Sequence, residues 1–73
     1  MSYKDVISHD PKIRSGKAII RGMRIAVVDV LEMLASRMTW EEILEDFPDL
    51  QESDIVACLE YAADKERASS QVA

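Results

Sequence analysis

Gly16-Lys17-Ala18-Ile19-Ile20-Arg21-Gly22-Met23-Arg24-Ile25-Ala26-Val27 decides the fold of this chain. Two short apolar runs, Ala18–Ile20 and Met23–Ile25, are interrupted at Gly22, and the segment then enters a helical pattern. β-branched residues favour extended backbone, and a glycine inside a strand pattern marks a bulge or a close backbone approach. The segment reads as part of a small β-ribbon, too slight to bury a core by itself.

Upstream, Tyr3-Lys4-Asp5-Val6-Ile7 mixes apolar and polar residues and is read as a short strand. Ser8-His9-Asp10-Pro11 is turn chemistry, in which Asp accepts from nearby backbone and Pro sets φ. Ile13 is a candidate for extending a second short strand.

Downstream the period changes to that of helices. Val27, Val30, Leu31, Leu34 and Met38 recur at i, i+3, i+4, i+7 and i+11, predicting a first helix from about Val27 to Arg37. Thr39-Trp40-Glu41-Glu42 is a capping box opening a second, short helix with an apolar stripe of Trp40, Ile43, Leu44 and Phe47, stopped by Pro48. A third helix starts at Gln51, with Glu52 and Asp54 in the first turn and Lys65 and Arg67 near the end, as the helix dipole favours. Its buried stripe is expected at Ile55, Val56, Leu59, Ala62 and Ala63. The expected core is Val27, Leu31, Leu34, Trp40, Ile43, Leu44, Phe47, Leu50, Ile55, Leu59 and Ala62, with Cys58 a small packed residue.

The fold class is therefore mainly α: a basic β-ribbon over residues 1–26, a homeodomain-like trihelical bundle with helix-turn-helix proportions over 27–67, and a disordered tail over 68–73, all one domain. A chain of 73 residues buries only about 60% of its unfolded surface. One cysteine and one histidine supply neither a disulfide nor a structural zinc site, so a partner or a second subunit is the expected compensation. The missing cysteine framework fits a reducing compartment, and neither a signal peptide nor a membrane span is expected, so the cytoplasm is the expected location.

The net charge of −5 hides an asymmetry. Residues 1–26 carry six cations against two acids, a balance of +4, and residues 27–73 carry three against twelve, a balance of −9. Two contact surfaces of opposite sign are one reading, and ordinary solvated helix faces are the other.

No catalytic constellation is visible. His9 beside Asp10 in a turn does not make an oriented base, and Ser15-Gly16-Lys17 lacks the glycine and Ser/Thr positions of a phosphate loop. The chain is expected not to be an enzyme and to need no cofactor or metal. DNA is a second class of ligand. The third helix, which a helix-turn-helix protein would insert into the groove, begins with Glu52-Ser53-Asp54, the wrong sign for phosphate. If DNA is bound, Lys12, Arg14, Lys17, Arg21 and Arg24 of the ribbon are the better candidates. Tyr61, beside the third helix's stripe, is a candidate interface residue.

Three motifs carry a family resemblance: Gly16–Val27, Met38–Leu50 (M-T-W-E-E-I-L-E-D-F-P-D-L) and Asp54–Ala62 (D-I-V-A-C-L-E-Y-A). Together with the Asp10-Pro11 turn, they span about residues 5–63 and resemble bacterial domain-of-unknown-function family 433, grouped with VapB-type antitoxins. The first is similar to a family pattern Gly-Lys-Pro-x-Ile-x-Gly-Thr-Arg-Ile-x-Val, and the second to a run ending Asp-Tyr-Pro-x-Leu. Ala18 and Met23 depart from that pattern at its Pro and Thr, and Arg37 stands where a helix-capping Gly is common.

The resemblance implies an antitoxin-like homodimer that neutralises a PIN-type ribonuclease toxin and represses its own operon by binding operator DNA. Lys12, Arg14, Lys17, Arg21 and Arg24 are then toxin- or DNA-contact candidates, with Arg21 or Arg24 offered to the toxin's carboxylates. Glu52, Asp54 and Tyr61 are candidates for toxin contact on the helix. A DNA-binding regulator without a toxin, or a plain dimeric interaction module, stands as the alternative.

Overall fold

The computed structural model describes residues 3–69. A two-stranded antiparallel ribbon precedes three helices: β1 (Ile7–His9), β2 (Ala18–Ile20), α1 (Val27–Ala35), α2 (Trp40–Asp46) and α3 (Glu52–Ser69). This is the ribbon-plus-trihelical architecture the sequence pattern implies. α3 runs to Ser69, and the rest of the expected tail, 70–73, lies outside the described residues.

Strand β1 sits later than the strand expected at 3–7. Tyr3–Asp5 forms a single 3-10 turn, closed by the Val6 amide donating to the Tyr3 carbonyl at 2.9 Å. Spacing by three lets both Tyr3 and Val6 pack against the core, which alternation would not allow. His9, expected in a turn, is the last strand residue. Ile7 pairs with Ile20, Ser8 with Ile19 and His9 with Ala18.

The connection between the strands holds the expected Asp10-Pro11 turn. The Asp10 carboxylate accepts from the Lys12 amide at 2.9 Å and its carbonyl from the Ile13 amide at 2.9 Å. Ile13 belongs to no strand. Arg14, Ser15 and Gly16 instead make a left-handed turn, with φ of 51°, 58° and 80°.

Beyond β2 the chain reverses at Arg21-Gly22, where the Met23 amide donates to the Ile20 carbonyl at 2.8 Å. Both central residues have positive φ, 47° and 72°, the requirement of a type I′ turn and the reason Gly22 is there. The returning Met23–Ile25 run forms no strand; Ala26 makes one bridge to Ile19.

The Thr39 capping box closes as the sequence dictates. The Thr39 hydroxyl accepts from the Glu42 amide at 3.1 Å, and the Glu42 carboxylate accepts from the Thr39 amide at 2.8 Å. Between α1 and α2, Arg37 takes the left-handed conformation at φ 70° despite not being glycine. The Met38 amide reaches the Met33 carbonyl at 3.1 Å and the Arg37 amide the Leu34 carbonyl at 3.0 Å. These are the two bonds of a Schellman cap, and Met38 packs on the core beside them.

The core comprises Ile7, Ile20, Val27, Val30, Ile43, Leu50, Ile55, Ala57 and Cys58. Two expected core residues, Trp40 and Leu59, are instead exposed, at 36% and 41%. The face of α3 explains Leu59. Asp54, Ile55, Ala57 and Cys58 point inward, and Val56, Leu59 and Ala63 point out. The helix turns about its axis because Asp54 has a partner inside and because Ala57 and Cys58 let its backbone approach the neighbouring elements closely. Trp40 is the first residue of α2, where the chain has just left the capping turn, and its ring stays at the surface.

Arg37 yields a test. A left-handed conformation costs a side chain about 1–2 kcal/mol, and glycine's looser unfolded state returns about 0.5–1 kcal/mol of that. Arg37→Gly is therefore expected to stabilise the fold by about 0.5–1 kcal/mol and raise the melting temperature by a few degrees, read by thermal circular dichroism.

Candidate functional site

Two of the ribbon's arginines are built into the fold, each against the start of a helix. Arg21, held in the type I′ turn, donates from Nε and Nη2 to the two carboxylate oxygens of Asp54, at 3.1 and 2.8 Å, and from Nη2 to the Asp49 carbonyl at 2.6 Å. Asp54 is the third residue of α3, and its Oδ2 also accepts from the Gln51 amide at 2.8 Å, one of the donors a helix start leaves unpaired. Only 2% of Asp54 is exposed. A carboxylate buried that far costs several kcal/mol unless it is paired and hydrogen-bonded, and this one is both.

Arg14 repeats the arrangement at α1. Its Nη1 and Nη2 donate to the carboxylate of Asp29 at 2.5 and 3.2 Å, and Nη1 to the Arg24 carbonyl at 3.0 Å. Asp29 is the third residue of α1 and accepts from the Ala26 amide at 2.9 Å. Ala26 has no side-chain acceptor to complete a capping box, so the acid works from one side only. The Arg14 fork holds the Asp29 carboxyl below the usual carboxylate range, against the opposing effect of burial. In both clamps a ribbon arginine with positive φ grips an acid at the third helical position and a carbonyl of the segment leading into the helix.

The clamps sort the candidate residues. Asp54, expected on a contact surface, is buried because it serves Arg21 and the Gln51 amide. Arg14 and Arg21 spend their guanidinium groups internally. Lys12, Lys17 and Arg24 remain exposed and, among the described residues, make no ion pair. Glu52 is exposed. Tyr61 is half-buried; its ring meets Tyr3 edge-on at 5.7 Å, and Lys65 Nζ lies 5.3 Å from its centre. Tyr3 Oη in turn donates to Asp64, tying the chain start to the second half of α3. The His9 Nδ1–H donates to the Gly16 carbonyl at 2.9 Å, fixing the left-handed turn against β1. Burial, and secondarily Asp54, pushes the Cys58 thiol up to about 12, so it is an inert packed group.

Sequence reasoning missed Asp29 and Asp54 as anchors. Their signal was the spacing: each lies three residues after a helix cap, the same offset as Glu42 from Thr39. Among the described residues, no three His, Cys, Asp or Glu side chains converge as a metal ion would need. No described helix is long and apolar enough to cross a membrane.

A family model described as "Protein of unknown function (DUF433)" matches residues 7–62. The chain belongs to the DUF433 family. No curated protein and no solved structure matches it. The matched stretch begins at β1 and contains every residue of both clamps, whereas the Tyr3–Asp64 tie falls outside it. In this DUF433 chain the Gly-Lys to Arg-Ile motif is accordingly a structural element: its Arg21-Gly22 turn is the part that reaches α3.

The Arg21 clamp has an asymmetric consequence. Arg21→Met removes the cation and leaves the Asp54 carboxylate buried without it, an expected loss of about 3–5 kcal/mol in urea denaturation. Asp54→Asn leaves a half-exposed arginine that water can solvate, so its loss is the smaller of the two.

The Asp29 clamp sets an acid dependence. Its folded carboxyl titrates below the unfolded one, so its contribution is fully present above about pH 4 and is lost as pH falls through the lower, folded value. Urea midpoints measured from pH 6 downward are expected to fall less steeply in Asp29→Asn than in the wild type.

Proposed function

We propose that this DUF433 protein is a non-catalytic, cytoplasmic antitoxin-like module that binds and neutralises a PIN-type ribonuclease. The observation that carries this reading is the outer face of α3. Val56 and Leu59, one helical turn apart, are 42% and 41% exposed and lie among the exposed acids Glu52 and Glu60. An apolar pair flanked by carboxylates suits insertion of a helix into a groove with a basic rim, as on an RNA-binding nuclease. Of Arg21 and Arg24, Arg24 is the one whose guanidinium is offered to the nuclease's carboxylate cluster: it is exposed and makes no ion pair among the described residues, whereas Arg21 holds Asp54.

The same features weigh against DNA recognition through α3. Its first turn carries the exposed Glu52, and the Arg21 guanidinium beside that turn is already held by Asp54, so little positive charge is left where a recognition helix meets phosphate. Autorepression would draw on Lys12, Lys17 and Arg24, and a gel shift with operator DNA that weakens steeply with salt would mark it.

The decisive assay mixes purified protein with a PIN-type ribonuclease encoded beside its gene and follows RNA cleavage. Wild type is expected to suppress cleavage. The doubly exposed Val56→Glu/Leu59→Glu variant, folded by circular dichroism, is expected to need at least tenfold more protein for the same suppression. Equal suppression by the variant overturns the α3 assignment, and unimpeded cleavage in the presence of wild type overturns the function.

A further inference from the structure

We propose that the outward face of α1 is the contact between two copies of this chain, packed antiparallel about a twofold axis, with Val28 of each copy seated in the apolar groove beside α1 of the other. The sequence of α1, V-V-D-V-L-E-M-L-A, has only two polar residues in nine, and Asp29 is already spent in the Arg14 clamp. Asp29 and Glu32 lie together on one side, and the apolar residues cover more than half of the circumference, a wider arc than the stripe one packed face requires. One chain does not cover that arc: only Val27 and Val30 are buried, Val28 is 40% exposed, Ala35 is exposed and Leu31 is half-buried. At about 100° per residue, Val28, Leu31 and Ala35 share one stripe, with Glu32 along its edge.

The stripe borders a groove of about 300 Å³ lined by Lys17, Ala18, Val27, Val28, Leu31 and Tyr61. Its lining is almost wholly apolar, and its volume exceeds what one valine side chain needs. Val28 is thus both a wall of the groove and the exposed knob that a copy would insert into it. Ala35, small and further along the stripe, permits the close axial approach of about 8–10 Å that packed helices adopt.

Charge complementarity selects a second copy as the occupant. Lys17 lies at the N-terminal end of α1, close enough to act electrostatically on Asp29. Glu32 lies one turn beyond Val28 toward the other end and is exposed. Antiparallel crossing brings Lys17 of each copy toward Glu32 of the other, twice over, so the face is complementary to itself. A 73-residue fold without a disulfide gains from such a subunit contact the burial that its own core lacks. The face belongs to α1 and is separate from the α3 residues assigned to the nuclease, so the two assignments fail independently.

Sedimentation equilibrium of the full chain tests it. Wild type is expected at twice the 8.2 kDa chain mass. Val28→Glu places a carboxylate in the groove and is expected to raise the dimer dissociation constant at least a hundredfold while keeping the wild-type circular dichroism, since Val28 is exposed in the single chain. Lys17→Glu and Glu32→Lys are each expected to weaken the dimer, and their combination to restore it. The Val56→Glu/Leu59→Glu variant stays dimeric. A monomeric wild type, a dimeric Val28→Glu, or a charge swap that fails to restore association overturns the proposal.

Discussion

The bidentate bond between Arg21 and the buried carboxylate of Asp54 is the constraint on which the rest of this small structure depends. A ribbon of two three-residue strands has no independent stability in water. Arg21 fastens it to the bundle by the tip of its turn, and the same carboxylate closes the first turn of α3. Removing that acid would unpair the Gln51 amide and release the ribbon together. The left-handed φ of Arg21 costs free energy, and it is what aims the guanidinium across the α2–α3 connection. The Arg14–Asp29 pair does the same for the other end of the ribbon and the first turn of α1. Together they make the N-terminal third a lid riveted onto two helix starts.

Much of this was legible from the residues. Helix order, the Thr39–Glu42 capping box, the stop at Pro48, the Asp10-Pro11 turn and the burial of Cys58 follow from local chemistry acting over three or four residues. What was not legible depends on contacts between distant parts of the chain. The charge of the ribbon is plain in sequence, but that Arg14 and Arg21 neutralise acids 15 and 33 residues away is not. The inward face of α3 was hidden because Ala57 and Cys58 weigh less in a hydrophobic pattern than Val56 and Leu59, while a buried Asp54 contradicts the pattern altogether. Arg37 shows the converse. A missing glycine put the cap in question, yet the Schellman bonds form because the Met38 side chain has a core site to reach.

Internal pairing of the arginines also changes how the exterior is read. An apparent basic surface of six cations is reduced by the two clamps, while the acids of α2 and α3 that face water keep their charge. The surface is thus more acidic than the N-terminal sequence suggests. It is marked by exposed apolar side chains at Val28, Trp40, Val56 and Leu59. Exposed apolar residues of that size on a protein with so small a core are what both proposed associations draw on.

The left-handed turn at Arg14–Gly16 couples parts of the chain that are far apart in sequence. Three successive residues in that conformation do not form in isolation, and this turn is stabilised by the Asp29 carboxylate and by the His9 imidazole. Its conformation is thus tied to α1 and to β1 at once. The Arg21 turn is tied likewise to the start of α3, across a loop of 33 residues. The ribbon and the two helix starts share these bonds, so local opening of one removes partners from the others, and the three are coupled as one cooperative unit.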